Sequence, residues 1–124
     1  MKRARTLGES FVYAISGILY AFKSQRNIKI HFIIALFVII FSCLLKLSTT
    51  ELLIVYVTIT MVLASEMVNT AIETVVDMYT QEYHPLAAVA KNVAAGAVLI
   101  SAINALVVGY FIFYNKFIIL LSLK

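Results

Sequence analysis

The sequence has few charged residues for its length, and this shortage excludes an ordinary water-soluble fold. Only 13% of its 124 residues are charged, whereas 63% are hydrophobic, against a usual share of about 45–50% in soluble domains. Too little polar surface remains to cover a soluble domain of this size, so lipid must solvate much of the chain. The composition therefore predicts a single-domain integral membrane protein.

Cysteine, glycine and the common nucleotide motifs are also scarce or absent. The single cysteine, Cys43, cannot form an intrachain disulfide and lies in an apolar run, which favours a packing role. The sequence contains no GxxxxGKS or GxxxxGKT, no GxGxxG and no HExxH, and its four glycines are too scattered to cradle a phosphate. Any nucleotide site must therefore be of another kind.

Basic residues are concentrated before the first long apolar run, at Lys2, Arg3, Arg5, Lys23, Arg26 and Lys29. A net charge of +4 is compatible with nucleic-acid binding, but this clustering is more simply a positive-inside signal with contact to anionic headgroups. We therefore predict no nucleic-acid partner and a cytoplasmic N-terminus.

Hydrophobic periodicity divides the chain into an amphipathic interfacial helix with a polar joint (6–27) and three spans (28–46, 51–77 and 86–115). The second span is longer than ~30 Å of hydrocarbon requires, so one end emerges into headgroups or water. We predict an all-α membrane protein with an N-terminal surface helix, three transmembrane helices and a cytoplasmic loop between the second and third spans.

The second span carries Glu66, Asn69, Glu73 and Asp77, spaced by three, four and four residues. On a helix this spacing places them in one stripe roughly 80° wide. Acids within a membrane-length apolar helix are costly and mark a functional site by default. Burial disfavours the ionised form of Glu66, which makes its carboxylate a stronger proton acceptor and a candidate general base for an alcohol. The alternative is a protonated, structural carboxyl that hydrogen-bonds neighbouring helices.

The other polar residues each permit two interpretations. Glu73 and Asp77 suit a divalent cation such as Mg²⁺, or simply a solvated helix end. The Asn69 amide could orient a hydroxyl or a phosphate, or it could hydrogen-bond polar groups between helices. The Lys91 ammonium group could bind a phosphate, or it could extend to the lipid headgroups as interfacial lysines ordinarily do. His84 and His31 suit a titrating or nucleotide-binding role, although isolated histidines are more often structural.

Two classes of function follow from these residues. The first is an enzyme that acts on a membrane-embedded alcohol, and the second is a small proton-coupled transporter or channel subunit that uses Glu66 as its carrier. Transporters usually show repeats or broken helices around a midplane site. Here no glycine or proline interrupts the second span, which favours the enzyme.

The runs EMVNTAIETVVD (66–77) and EYHPLAAVAKNVAAGAVL (82–99) resemble the signature of small bacterial integral-membrane lipid kinases, the diacylglycerol kinase and undecaprenol kinase family. The resemblance covers Phe11 to Tyr110. It implies a multi-pass homotrimer in the bacterial inner (plasma) membrane that transfers the γ-phosphate of Mg-ATP to a lipid hydroxyl at the cytoplasmic face. The HPL and AAGAVL segments are more similar to undecaprenol kinases, so undecaprenol is the expected acceptor and diacylglycerol the alternative.

The resemblance also implies roles for single residues. Glu66 matches the proton acceptor and Asn69 its neighbouring amide, while Glu73 matches a metal ligand. The residues that match nucleotide contacts are Tyr13, Glu73, Asp77, Glu82, Tyr83, His84, Lys91 and Asn92.

Two of the matched positions depart from the family pattern. Gln25 stands where a second metal-binding glutamate is common, and Asn92 stands where an acid usually follows the lysine. The loss of two negative charges predicts weaker Mg²⁺ binding, with Gln25 offering a carbonyl oxygen in place of a carboxylate. A catalytically weakened family member therefore remains an alternative.

Overall fold

The computed structural model describes residues 6–122, apart from the side chains at 120 and 121. This part of the chain folds into four helices, α1 (Leu7–Ser24), α2 (Arg26–Leu44), α3 (Thr49–Tyr79) and α4 (Pro85–Ser122). No strand occurs among these residues, and α2, α3 and α4 are each long and apolar enough to cross a bilayer. The predicted all-α fold with three membrane-length helices is confirmed.

The N-terminal basic residues Lys2, Arg3 and Arg5, to which the sequence assigns headgroup contacts, lie outside the described residues. The helix that follows begins at a Thr6 cap, whose hydroxyl accepts from the Glu9 N–H. A threonine at this position satisfies one of the amide groups that a helix N-terminus leaves without a partner.

A single extended residue, Gln25, separates α1 from α2. The sequence predicts a longer polar joint here, but both helices extend into it and leave only this residue outside. No glycine or proline is present to lengthen the break, so one non-helical φ/ψ pair suffices. The Gln25 side chain is thereby fixed where the two helices meet.

A tight turn joins α2 to α3. Lys46 adopts a left-handed backbone conformation (φ 49°), and Ser48 caps α3 in a reciprocal capping box with Glu51. The Glu51 carboxylate also accepts a salt bridge from Lys116 of α4, with 3.0 Å between Nζ and Oε2. This contact ties the start of α3 to the distant part of α4.

The last helix continues past the expected end of the third span at residue 115 and reaches Ser122. Neither glycine nor proline follows Gly109, and residues 117–121 are apolar, so nothing in the local sequence stops the helix. Lys116 is accommodated within it because its ammonium group pairs with Glu51.

The central helix of the packing is α3, which contacts all three other helices and α4 most extensively. Its buried residues recur at intervals of three and four and form one face: Val55, Thr58, Val62, Glu66, Asn69 and Thr70. Between α3 and α4, the hydroxyls of Ser65 and Ser101 lie 2.8 Å apart, and Ala94 is buried. The polar stripe of α3 therefore faces neighbouring helices.

Candidate active site

The polar stripe of α3 changes from buried to exposed along the helix. Glu66 is 2% exposed and Asn69 is 6% exposed, whereas Glu73 is half-buried and Asp77 is exposed. Asp77 lies about 16 Å from Glu66 along the axis at the standard helical rise. One helix face thus carries an acid enclosed by protein and another that water can reach.

Two amides enclose the carboxylate of Glu73. Nδ2 of Asn69 donates to Oε1 at 3.1 Å, and Nε2 of Gln25 donates to Oε2 at 3.2 Å. A half turn of either amide would present its carbonyl oxygen instead, which is a ligand that hard cations accept. The structure therefore brings the predicted residues Gln25, Asn69 and Glu73 together.

Glu66 is buried with one oxygen that lacks a partner. Among the described side chains, neither Oε2 of Glu66 nor Oδ1 of Asn69 has a hydrogen-bond partner. Leaving a buried polar atom unpaired costs about 1–3 kcal/mol, and such atoms in a folded protein require an explanation. A ligand hydroxyl that approached this position would supply the missing hydrogen bond.

Two residues of α2 approach the same carboxyl. Asn27 and His31 both interact with Glu66, and their spacing of four residues places them on one face of α2. Sequence reasoning treated His31 as an isolated histidine and did not select Asn27. The spacing was a usable signal, because two polar residues one turn apart in an apolar helix indicate a shared partner.

Asp77 and Lys91 form a salt bridge that links the end of α3 to the start of α4. An acid near a helix C-terminus is disfavoured by the helix dipole, and Asp77 lies two residues before the end of α3. The two side chains offset this cost by pairing with each other. Both remain accessible to solvent.

The remaining predicted nucleotide residues lie apart from the stripe. Glu82, Tyr83 and His84 are exposed in the α3–α4 loop, Asn92 is exposed on α4, and Tyr13 is exposed on α1. Within the described chain, no hydrogen bond or ion pair joins any of these side chains to Glu66, Asn69 or Glu73. One protomer therefore does not bring the whole predicted set together.

The donor set at Glu73 fits a metal that arrives with its own ligands. No group of three or more His, Cys, Asp or Glu side chains suited to a metal occurs in residues 6–122. Mg²⁺ is commonly held by one or two carboxylates while water and substrate phosphates supply the other ligands. Glu73, with carbonyl oxygens from Gln25 and Asn69, matches that pattern.

An apolar cavity of about 390 Å³ begins beside this site. Residues from α2, α3 and α4 line it, and it extends from His31 and Leu63 to Val55 and Phe113. Val62 lines the cavity and lies one helical turn from Glu66 on the same buried face of α3, so the cavity is adjacent to the buried carboxyl.

Three membrane-length helices and a buried acid-and-amide cluster near one end of α3 define a small multi-pass membrane protein with an internal polar site. Residues 12–113 match the family described as prokaryotic diacylglycerol kinase. The chain belongs to this family.

Individual relatives agree with the family match. A diacylglycerol kinase of Synechocystis is 46% identical over 101 residues, which cover 81% of this chain and 58% of that protein. An undecaprenol kinase of Bacillus subtilis is 40% identical over 108 residues, which cover 87% and 88% respectively. A diacylglycerol kinase of Escherichia coli K12 is 27% identical over 105 residues, which cover 85% and 86%.

The family resolves the class of function that the sequence left open. Its members named above are kinases of lipid alcohols, so the predicted enzyme class is confirmed at the level of the family. The proton-coupled carrier finds no support in these relatives. The multi-pass membrane character is likewise confirmed by the family together with the three apolar helices.

Proposed function

We propose that this protein transfers the γ-phosphate of Mg-ATP to the hydroxyl of a membrane lipid alcohol, undecaprenol by preference, at the cytoplasmic face of the bacterial inner membrane. The observation that carries the proposal is the buried Glu66 carboxyl, with its unpartnered oxygen, two turns from the amide-enclosed Glu73. This arrangement provides one place for an alcohol and a second for a phosphate-bound cation.

Glu66 is the base of the reaction. Its Oε2 accepts the proton of the lipid hydroxyl as the alcohol oxygen bonds to the γ-phosphorus, and the bond from that phosphorus to the β-phosphate oxygen breaks. The products are a lipid phosphate and ADP. Positioned proton acceptors of this kind contribute about 10²–10⁴-fold to a rate.

Glu73, Asn69 and Gln25 are the residues that would hold Mg²⁺. Bound there, the cation would neutralise charge on the phosphates during transfer. Asn69 also has an unpartnered carbonyl oxygen, which is suited to accept a hydrogen bond from the lipid hydroxyl and so to orient it. Positioning supplies most of the catalysis in phosphoryl transfer, because little covalent chemistry is required of the protein.

Lys91 is the proposed phosphate contact, and it would leave Asp77 to make that contact. Breaking the Asp77–Lys91 salt bridge costs little free energy, because an exposed salt bridge contributes only about 0–1 kcal/mol. Glu82, Tyr83, His84, Asn92 and Tyr13 complete the proposed nucleotide site.

We propose that the functional unit is a homotrimer, with each site completed between protomers. The support is that the exposed loop residues and the stripe share no polar contact within one described protomer, so a neighbouring protomer is needed to bring them together. Crosslinking in native membranes followed by mass determination tests the oligomer. A monomeric active enzyme would contradict this part of the proposal.

Phosphate transfer to lipid tests the reaction itself. The purified full chain in mixed micelles is incubated with γ-labelled ATP and either undecaprenol or diacylglycerol, with Mg²⁺ present or removed by chelation. We expect label in the lipid phase only with the cation, and faster transfer to undecaprenol. Absence of label in both lipids would refute the kinase, whereas preference for diacylglycerol would refute only the acceptor assignment.

A further inference from the structure

We propose that the apolar cavity between α2, α3 and α4 holds one hydrocarbon chain of the acceptor alcohol, with the hydroxyl of that acceptor at Glu66. The inference rests on the proposed kinase reaction and adds the part of the lipid that the enzyme recognises. If the inference holds, the length of one hydrocarbon chain of the acceptor determines its kcat/KM.

The cavity lies next to the reacting end. Leu63, which lines the cavity, is one helical turn from Glu66 on α3, and His31 both lines the cavity and interacts with Glu66. An alcohol that places its hydroxyl at Oε2 of Glu66 therefore has the cavity within reach of its chain. The unpaired buried oxygen favours a ligand with a hydroxyl group at one end, and the apolar lining favours a hydrocarbon chain in the rest of that ligand.

The length of the cavity sets the length of chain that it holds. From Leu63 to Val55 the wall rises about 12 Å along α3, at the standard 1.5 Å per residue. Segments of a long chain beyond this distance would return to the bilayer. The dependence of rate on chain length should therefore level off once the chain spans the cavity.

Small residues of α4 keep the cavity open. Ala102, Ala105 and Gly109 line it at spacings of three and four residues. A Cβ atom placed on Gly109 would meet only Cδ2 of Phe113, at 4.0 Å, so side-chain bulk at this position would enter the cavity rather than strain the helix. This wall thus offers two positions, near and far from Glu66, at which the cavity can be filled by substitution.

The contribution of the cavity is orientation more than affinity. Lipid tails are already in an apolar medium, so moving a chain from the bilayer into an apolar cavity gains little hydrophobic free energy. A chain held in place nevertheless fixes the hydroxyl relative to Glu66, and misplacement by about 1 Å costs as much as 10²-fold in rate. The effect is therefore expected in kcat/KM at a fixed mole fraction of acceptor.

The test uses a series of acceptors: 1-butanol, 1-octanol, 1-dodecanol, farnesol and undecaprenol. Each is assayed with the purified full chain at equal mole fraction in the micelle. For the unmodified protein we expect kcat/KM to rise with chain length and then level off. Gly109→Leu fills the far end, so it should lower kcat/KM for the long acceptors by about 10- to 100-fold and for 1-butanol by about twofold or less.

Two further variants locate the effect. Ala102→Leu fills the near end and should lower kcat/KM for all acceptors from 1-octanol upward. Val107→Phe is the control, because Val107 lies between these positions on α4, is exposed, and does not line the cavity. It should leave the chain-length profile unchanged. Retained transfer to 1-butanol shows that each variant is folded.

Several results would overturn the inference. A flat chain-length profile in the unmodified protein, or an equal loss for short and long acceptors in both filled variants, excludes a chain in the cavity. A changed oligomeric state in Gly109→Leu with an unchanged profile assigns the cavity to a second copy of the chain. Failure of the unmodified protein to phosphorylate any alcohol refutes the proposed function instead.

Discussion

The side-chain amide of Gln25 donates a hydrogen bond of 3.2 Å to Oε2 of Glu73, across the contact between the α1–α2 junction and α3. An uncharged partner stabilises this carboxylate without adding a second negative charge to the site. The proposed cation site therefore has one formal charge from protein, supplemented by amide oxygens. Such a site binds Mg²⁺ weakly without the phosphates of a nucleotide.

Restoring a carboxylate at position 25 should strengthen the cation site. We expect Gln25→Glu to lower the Mg²⁺ concentration for half-maximal activity by about 10-fold, since one added charge at this distance contributes on the order of 1–2 kcal/mol near a protein surface. Without Mg²⁺, repulsion between two adjacent carboxylates should lower the Tm, and added Mg²⁺ should restore it.

Activity against free Mg²⁺ and thermal unfolding with and without the cation provide the two measurements for Gln25→Glu. Asn115→Asp is the matched control because it adds the same charge at an exposed position near the opposite end of α4. An equal shift in both variants would show a general charge effect and would contradict a specific site at Gln25.

Replacing Glu66 by Gln should remove the proton acceptor while preserving the shape of the side chain. We expect kcat to fall by about 10²–10⁴-fold with little change in nucleotide affinity, because a neutral amide cannot take the hydroxyl proton. Single-turnover phosphate transfer and equilibrium nucleotide binding separate these effects. The control is Glu51→Gln at the opposite end of the same helix, and comparable losses in both variants would rule out the assigned role.

Loss of Lys91 should affect nucleotide binding far more than folding. We expect Lys91→Met to raise the KM for ATP by about 10-fold or more, since a hydrogen bond to a charged group contributes about 1.5–3 kcal/mol. The free energy of unfolding should change by less than about 1 kcal/mol, because the Asp77 salt bridge is exposed. Steady-state kinetics and detergent-induced unfolding supply the two values.

Lys116→Met is the matched control for Lys91, because it removes a cation from the same helix at the end that pairs with Glu51. Its KM for ATP should stay within about twofold of the unmodified value, as the change lies far from the phosphates. A similar increase in both lysine variants would mean that net charge, rather than contact by Lys91, determines nucleotide affinity.

The cap of α3 should contribute to stability without contributing to catalysis. Ser48→Ala removes the hydroxyl that accepts from the Glu51 N–H and should lower the free energy of unfolding by about 1 kcal/mol. Activity per folded molecule should not change. Thr60→Ala is a suitable comparison, since Thr60 is exposed in the same helix and, among the described residues, its hydroxyl bonds only to the Tyr56 carbonyl. Equal destabilisation by both would argue against the capping contribution.

Features with a local cause could be predicted from the sequence. The acidic stripe and the Ser48 cap follow from helical spacing and from the preference of hydroxyl residues for helix N-termini. The approach of Asn27 and His31 to Glu66 could not be predicted in this way, because it depends on how α2 packs against α3. The continuation of α4 to Ser122 also has a non-local contribution, because Glu51 provides a distant partner for Lys116.

Gln25 is the C-cap of α1 and the N-cap of α2, and its side chain hydrogen-bonds to Glu73. Its backbone position, and with it the reach of its amide to that carboxylate, depends on how α1 and α2 meet. A change in the tilt of α1 against the rest of the bundle therefore displaces one of the two amides that enclose Glu73. The angle of the first helix and the geometry around a single carboxylate are mechanically coupled through one residue.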